Sequence, residues 1–253
     1  MVLRYPLISD GQIYQGYSLI SPTCWNGLLL PYLPPMCFSA TVSFSAGIAL
    51  TAVGAYTLKK SESNDERPFA AIPLLFGIQQ ILEGFVWLGL QNKFGGPQET
   101  QSFIYLFLFI AQVLWPFWVP LSIIQMEKKG KVNGFERTLL ILGFSLSLYL
   151  GYCLWHYPVS AKIEEHHILY IQHYPKSIAW FSGILYTVVT ILPPFFSKMK
   201  YMWTLGSLIF VSYGVTALFY EGFVVSVWCF FASIISVVVW FILRQYHKNF
   251  SRV

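Results

Sequence analysis

The sequence predicts an all-α fold, a polytopic membrane helix bundle of seven transmembrane helices with the amino terminus outside and the carboxyl terminus inside. Three observations carry this expectation. Of 253 residues, 56% are hydrophobic and only 11% charged, against about 25% charged in an ordinary soluble domain. Apolar runs recur at the length of about 20 residues that a helix needs to cross a bilayer. Lysine and arginine collect in alternate connections between those runs, the bias that orients membrane proteins.

Residues 1–35 stand apart from the rest. They hold Gly11, Gly16, Pro22, Pro31, Pro34 and Pro35, and their longest apolar piece, Gly27-Leu28-Leu29-Leu30, is too short to span. Arg4 is followed by no continuous apolar core, so the stretch does not read as a signal peptide. Two readings stay open: an amino-terminal extension, or a stretch upstream of a start at Met36. The seven-helix transmembrane domain covers residues 36–253.

The expected spans are Phe38–Leu58, Phe69–Leu90, Ser102–Met126, Thr138–Tyr157, Ile178–Ser197, Tyr201–Tyr220 and Gly222–Leu243. Connections are short except Pro158–Ser177, which is expected as the one long interior loop. Many of the 22 Phe, 16 Tyr and 9 Trp lie near span ends, where interfacial aromatic belts form. In the third span, Pro116 and Pro120 each remove a backbone donor and bend the helix, and Pro193-Pro194 does the same in the fifth. In the first span Ser43, Gly47 and Gly54 are small enough to let a neighbouring helix approach closely. No internal repeat is visible, which argues against a solenoid and against a repeat-built secondary transporter.

Orientation follows from counting basic residues. Lys59, Lys60, Arg67, Lys128, Lys129, Lys131, Arg137, Lys198, Lys200, Arg244, Lys248 and Arg252 fall on one side, and Arg4, Lys93, Lys162 and Lys176 on the other. The larger set flanks short connections and the tail, so it marks the cytoplasmic side. The net charge of +5 therefore records topology and is no nucleic-acid signal. The expected surroundings are a lipid bilayer, the inner (plasma) membrane, with no nucleic-acid partner.

Chemistry concentrates on the second span. Phe76, Gln79, Gln80, Glu83 and Trp87 fall within an arc of about 100° on one helix face. Ionisable residues inside spans face the bundle interior or a wet cavity and mark functional sites by default. With a rise of about 1.5 Å per residue, Glu83 lies about 10 Å below the outer end of its span, Gln79 about 16 Å and Gln112 of the third span about 15 Å. Gln79, Gln80, Glu83, Trp87 and Gln112 are thus the expected ligand-binding set of an outward-facing polar pocket. Cys37, His156 and His167 are expected at its rim. Together with Glu83 they offer the sulfur, nitrogen and oxygen donors that hold a transition metal, although no HExxH or CxxC spacing supports one. The two function classes beside ligand binding are an intramembrane, hydrolase-like enzyme and a purely structural or sensory protein. The enzyme would use Cys37 as nucleophile and Glu83 as acid or base. In the structural reading Glu83 bonds to Gln112 or a backbone carbonyl, Gln79 and Gln80 join helices, and His156 anchors at the headgroup level. His166 and His173 then sit on a solvated loop.

Cys24, Cys37, Cys153 and Cys229 show no metal spacing; a Cys24–Cys37 disulfide requires an oxidising compartment. Seven spans with an outside amino terminus match the rhodopsins in topology. The seventh span, Gly222–Leu243, contains no lysine, which argues against retinal held as a Schiff base.

From Met36-Cys37-Phe38-Ser39-Ala40 onward the chain resembles an uncharacterised bacterial family of multi-span membrane proteins whose members begin with that pentapeptide. Further parts of the resemblance are the segment Pro73 to Gln80 with Glu83, Gly84 and Trp87, the prolines of Trp115-Pro116 and Trp118-Val119-Pro120, and His167-Ile168-Leu169-Tyr170. The resemblance implies a multi-span architecture and transfers no activity. It also implies a start at Met36, whose removal would leave Cys37 with a free amine and thiol, a pair able to chelate or attack. The 35 residues preceding Met36 depart from that pattern.

Overall fold

The computed structural model describes residues 39–127, 132–164, 167–219 and 224–250. The expectations for residues 1–35, Cys24, Cys37 and His166 lie outside them, as does Tyr220, the expected end of the sixth span. Ten helices are described: α1 (Ala40–Lys60), α2 (Arg67–Ala70), α3 (Ile72–Leu90), α4 (Pro97–Leu108), α5 (Trp115–Met126), α6 (Gly134–His156), α7 (Lys176–Ile191), α8 (Pro193–Phe196), α9 (Met202–Phe219) and α10 (Val224–Phe250). Among the described residues, four helical stretches are long and apolar enough to cross a membrane: Ala40–Lys60, Arg67–Leu90, Pro97–Met126 and Gly134–His156. Phe181–Phe196 and Met202–Thr216 are shorter apolar helices.

Their outward faces fit lipid. On α6, Ile141, Phe144, Leu148, Tyr152 and Trp155 recur at helical spacing and are all exposed, a continuous apolar stripe that water would penalise. The buried faces meet in apolar clusters, two of them large. One, at the end carrying most of the lysines and arginines (the basic end), gathers Phe69, Ile72, Trp115, Ile123, Met202 and Val239. The other, at the opposite end, gathers Val86, Trp87, Phe107, Leu108, Ile168 and Tyr170.

α1 and α3 pack along their whole length, and small residues are the reason. A Cβ on Gly54 would run into the Leu74 backbone, and one on Gly77 would meet the Thr51 hydroxyl. The Thr57 hydroxyl then ties the end of α1 to α2 through the Ala70 carbonyl, 2.8 Å away.

Two local features depart from the sequence expectation. The segment Pro158–Ser177, expected as a loop, folds into an antiparallel hairpin of β1 (Val159–Glu164) and β2 (His167–Gln172), pairing Val159 with Gln172 and Glu164 with His167. Alternating β-branched and polar residues favour strands, and β2 is held by burying His167 through Tyr170. The third span is helical from Pro97 but contains a π-helical segment, Phe109–Leu114, just before Trp115-Pro116. A π turn skips one carbonyl partner, and Pro116 has no N–H to offer the preceding turn. The Ala111 carbonyl takes its hydrogen bond instead from the Tyr186 hydroxyl of α7, at 2.7 Å.

Candidate functional site

The polar face of α3 is fully enclosed. Gln79, Gln80 and Glu83 are only 1%, 4% and 2% exposed, and Trp87 is buried with them. Helical spacing places Gln80 three residues and Trp87 four residues from Glu83, so all three side chains lie one above another. Gln80 Nε2 donates to Glu83 Oε2 at 3.2 Å. One turn along, the Trp87 indole N–H is buried and has no hydrogen-bond partner among the described residues. The unmatched Trp87 donor thus stands one turn from the buried Glu83, and a buried donor costs energy unless something completes it.

Gln79 points to a different neighbour. Its Oε1 accepts from Trp115 Nε1 at 2.9 Å, and the Trp115 ring stacks on Phe76 with centroids 4.2 Å apart. The first residue of α5 is therefore fixed against α3 by both a hydrogen bond and a ring contact. Gln112, on the π-helical segment, joins Gln172 of β2. Each carboxamide donates to the other, at 3.2 and 2.9 Å. That reciprocal pair pins the end of the hairpin to the third span, so Gln112 is engaged with β2 where the sequence reading placed it beside Glu83.

The expected rim residues separate. His167 is buried at the start of β2, and Ile168 and Tyr170 of the same strand share an apolar cluster with Trp87. His156 is exposed at the end of α6, stacked on Tyr152 with centroids 5.1 Å apart; its place is at the surface. Cys37 lies outside the described residues. Cys153 is a buried free thiol. Among the described residues no three of His, Cys, Asp and Glu come together as ligands of one ion. His173, expected on a solvated loop, has its ring Nδ1 3.2 Å from the Pro158 carbonyl, across the base of the hairpin.

Four residues with clear roles escaped the sequence reading: Trp115, Gln172, Tyr174 and Tyr186. Trp115 enters there only beside Pro116, as part of the family resemblance, and Tyr186 is not singled out. Gln172 becomes visible only once β2 is recognised, because strand alternation then assigns it a face. Tyr174, just after β2, carries a buried hydroxyl without a partner among the described residues. Burial pushes its phenol well above the usual tyrosine range, with Cys153, Tyr105 and Tyr149 nearby adding to the shift.

No curated protein and no solved structure matches the chain. Residues 36–252 match a family of unknown function (DUF6629), and an apolar, helical chain matched over nearly all of its length belongs to that family.

Proposed function

We propose that the chain is a seven-span integral protein of the inner (plasma) membrane, amino terminus outside, that binds a small polar ligand around Glu83. In this reading α1, α2–α3, α4–α5 and α6 are the first four spans. α7–α8, α9 and α10 supply the other three, and the hairpin caps the bundle on the outer face. The basic end then faces the cytoplasm, consistent with the distribution of lysine and arginine.

The observation that carries the ligand reading is the pairing of the enclosed Glu83 carboxylate with the unmatched Trp87 indole N–H. A buried carboxylate and a spare donor on one helix face can together recognise a group that both donates and accepts. The Gln80 carboxamide donates to Glu83 Oε2 from the neighbouring turn and fixes the orientation of that side chain. The test is native mass spectrometry of protein released from lipid nanodiscs, comparing wild type with Glu83→Gln and Trp87→Phe. A co-purifying small molecule present in wild type and lost in both variants supports the reading. Identical spectra for all three would end it.

A second reading has a specific observation in its favour. Gln79 and Gln112 are both committed to other side chains, Trp115 and Gln172, which makes them helix- and hairpin-joining residues. If the mass spectra are identical and Glu83→Gln only lowers stability, the whole stripe is structural.

A further inference from the structure

At the basic end, two expected span boundaries meet in space. The expected seventh span closes at Leu243, and α10 runs on as helix through Arg244, Gln245 and Tyr246. The expected sixth span opens at Tyr201, directly after Lys198, Met199 and Lys200. Between them lies a cavity of about 130 Å³, lined by Met199, Lys200, Ile242, Gln245 and Tyr246. Its walls are graded. Met199 and Ile242 are apolar, while Lys200, Gln245 and Tyr246 present a charge, a carboxamide and a phenol. Ile242 and Tyr246 stand about 6 Å apart along the helix axis, so the lining passes from apolar to polar within one turn.

The positive charges here are not matched by protein carboxylates. Among the described residues neither Lys200 nor Arg244 forms an ion pair. Both lie over aromatic rings instead: Lys200 Nζ is 5.0 Å from the centre of Tyr201, and Arg244 Cζ is 5.4 Å from that of Trp240. Tyr201 has a φ of 67°, a left-handed conformation that strains a bulky residue. Its ring meets Phe241 of α10 at 5.6 Å, which holds the turn carrying Lys200 against that helix. Burial, then Glu66 and Asp65, push the Tyr246 phenol up, so its hydroxyl stays protonated. Of those two acids, Glu66 is engaged by His247 Nε2 at 2.7 Å and by the Ser63 hydroxyl at 3.0 Å, and Asp65 is exposed to solvent.

We infer that this cavity holds the glycerol-phosphate region of one anionic phospholipid, with the phosphate against Lys200 and the start of an acyl chain along Met199 and Ile242. A free phosphate gains nothing from the two apolar walls, and a lipid without net charge gains less from an unmatched lysine. An anionic lipid uses both, and basic pockets between membrane helices bind such headgroups. The site rests on the membrane-spanning reading above and is independent of Glu83.

The probe is phosphatidylglycerol, added to the full chain purified in neutral detergent. Phosphatidylcholine with the same acyl chains is the comparison, and bound lipid is counted by native mass spectrometry. One phosphatidylglycerol retained per chain, in preference to phosphatidylcholine, is the expected result. Lys200→Gln weakens its retention about five-fold, the worth of one basic residue beside an anionic headgroup. Gln245→Trp, whose ring would occupy the cavity, weakens it as well. Lys59→Gln, which removes an exposed charge of the basic set on α1, leaves it unchanged. Glu83→Gln also leaves it unchanged, so failure of the Glu83 reading and failure of this one are told apart. Equal retention of the two lipids overturns the inference. So does equal weakening by Lys59→Gln and Lys200→Gln, because only diffuse surface charge is then at work. Displacement of the lipid by free glycerol phosphate at matched concentration assigns the cavity to a soluble anion and overturns it equally.

Discussion

The contact between Gln79 and Trp115 offers the sharpest test of how the α3 stripe is held. Trp115→Phe removes the indole donor while keeping a ring to stack on Phe76, so the loss centres on the 2.9 Å hydrogen bond. Both partners are buried, and a buried acceptor stripped of its donor costs about 1–3 kcal/mol. Gln79→Met keeps the length of the side chain and strands the indole N–H instead. The double variant strands neither group of this pair, so it should be less destabilised than the sum of the singles. Interhelical hydrogen bonds in membrane bundles couple by about 0.6–1.7 kcal/mol, and the coupling here is expected in that range. Gln79 takes part in a further interaction, but whatever Gln79→Met loses there cancels when the pairwise term is extracted from the cycle. The assay is reversible unfolding in mixed micelles with increasing dodecyl sulfate, followed by far-ultraviolet circular dichroism on the four proteins. Additivity within about 0.5 kcal/mol would mean that the two side chains do not meet, and the packing of α3 on α5 described above would be refuted.

Three further outcomes follow from single sites. Gly143→Ala drives a Cβ into the Pro116 carbonyl, and it should cost about 1–3 kcal/mol by overpacking; the same unfolding assay reads it, and a neutral result would show that α6 can step back. Tyr174 has a folded-state pKa raised by burial. The folded protein therefore keeps that proton where the unfolded chain releases it, near pH 10 for a free tyrosine (about 10). Its contribution to stability is full below that pH and declines as pH rises toward the raised folded value, so Tyr174→Phe should flatten the alkaline fall in melting temperature. Finally, reporter fusions should place the carboxyl terminus in the cytoplasm and a tag at Lys162, in the hairpin, outside; both on one side would remove the seven-span reading.

Much of the bundle was legible because length and hydropathy act locally. The four stretches long enough to cross a membrane coincide with the first four expected spans, and Gln79, Gln80, Glu83 and Trp87 of the α3 stripe are buried as their arc implies. What escaped depends on contacts between distant residues. The hairpin was missed because β1 and β2 are short, lie between two long helices and are held in part by packing against α3, α4 and α10, which a local pattern does not show. Gln112 was assigned to the Glu83 face because depth along a span says nothing about azimuth, and the π-helical segment changes azimuth by inserting a residue into the turn. His156 was grouped with the rim for the same reason: it has the right depth on the wrong side of α6.

The prolines of the third span repay the same attention to partners. In sequence, Pro116 and Pro120 fit either a packing bend or a hinge. A hinge needs backbone carbonyls that exchange partners at little cost. Here the Ala111 carbonyl is taken by the Tyr186 hydroxyl of α7, and the Pro116 carbonyl lies so close to Gly143 of α6 that a Cβ there would collide with it. The neighbouring Gln112 is bonded twice to the hairpin. Bending at this point would break contacts with α6, α7 and β2 at once. The irregular backbone is therefore a junction that locks three elements together, and movement that would admit the ligand proposed for Glu83 has to come from an element that packs on α3 without crossing this junction. Among the described helices, α1 and α10 meet that condition.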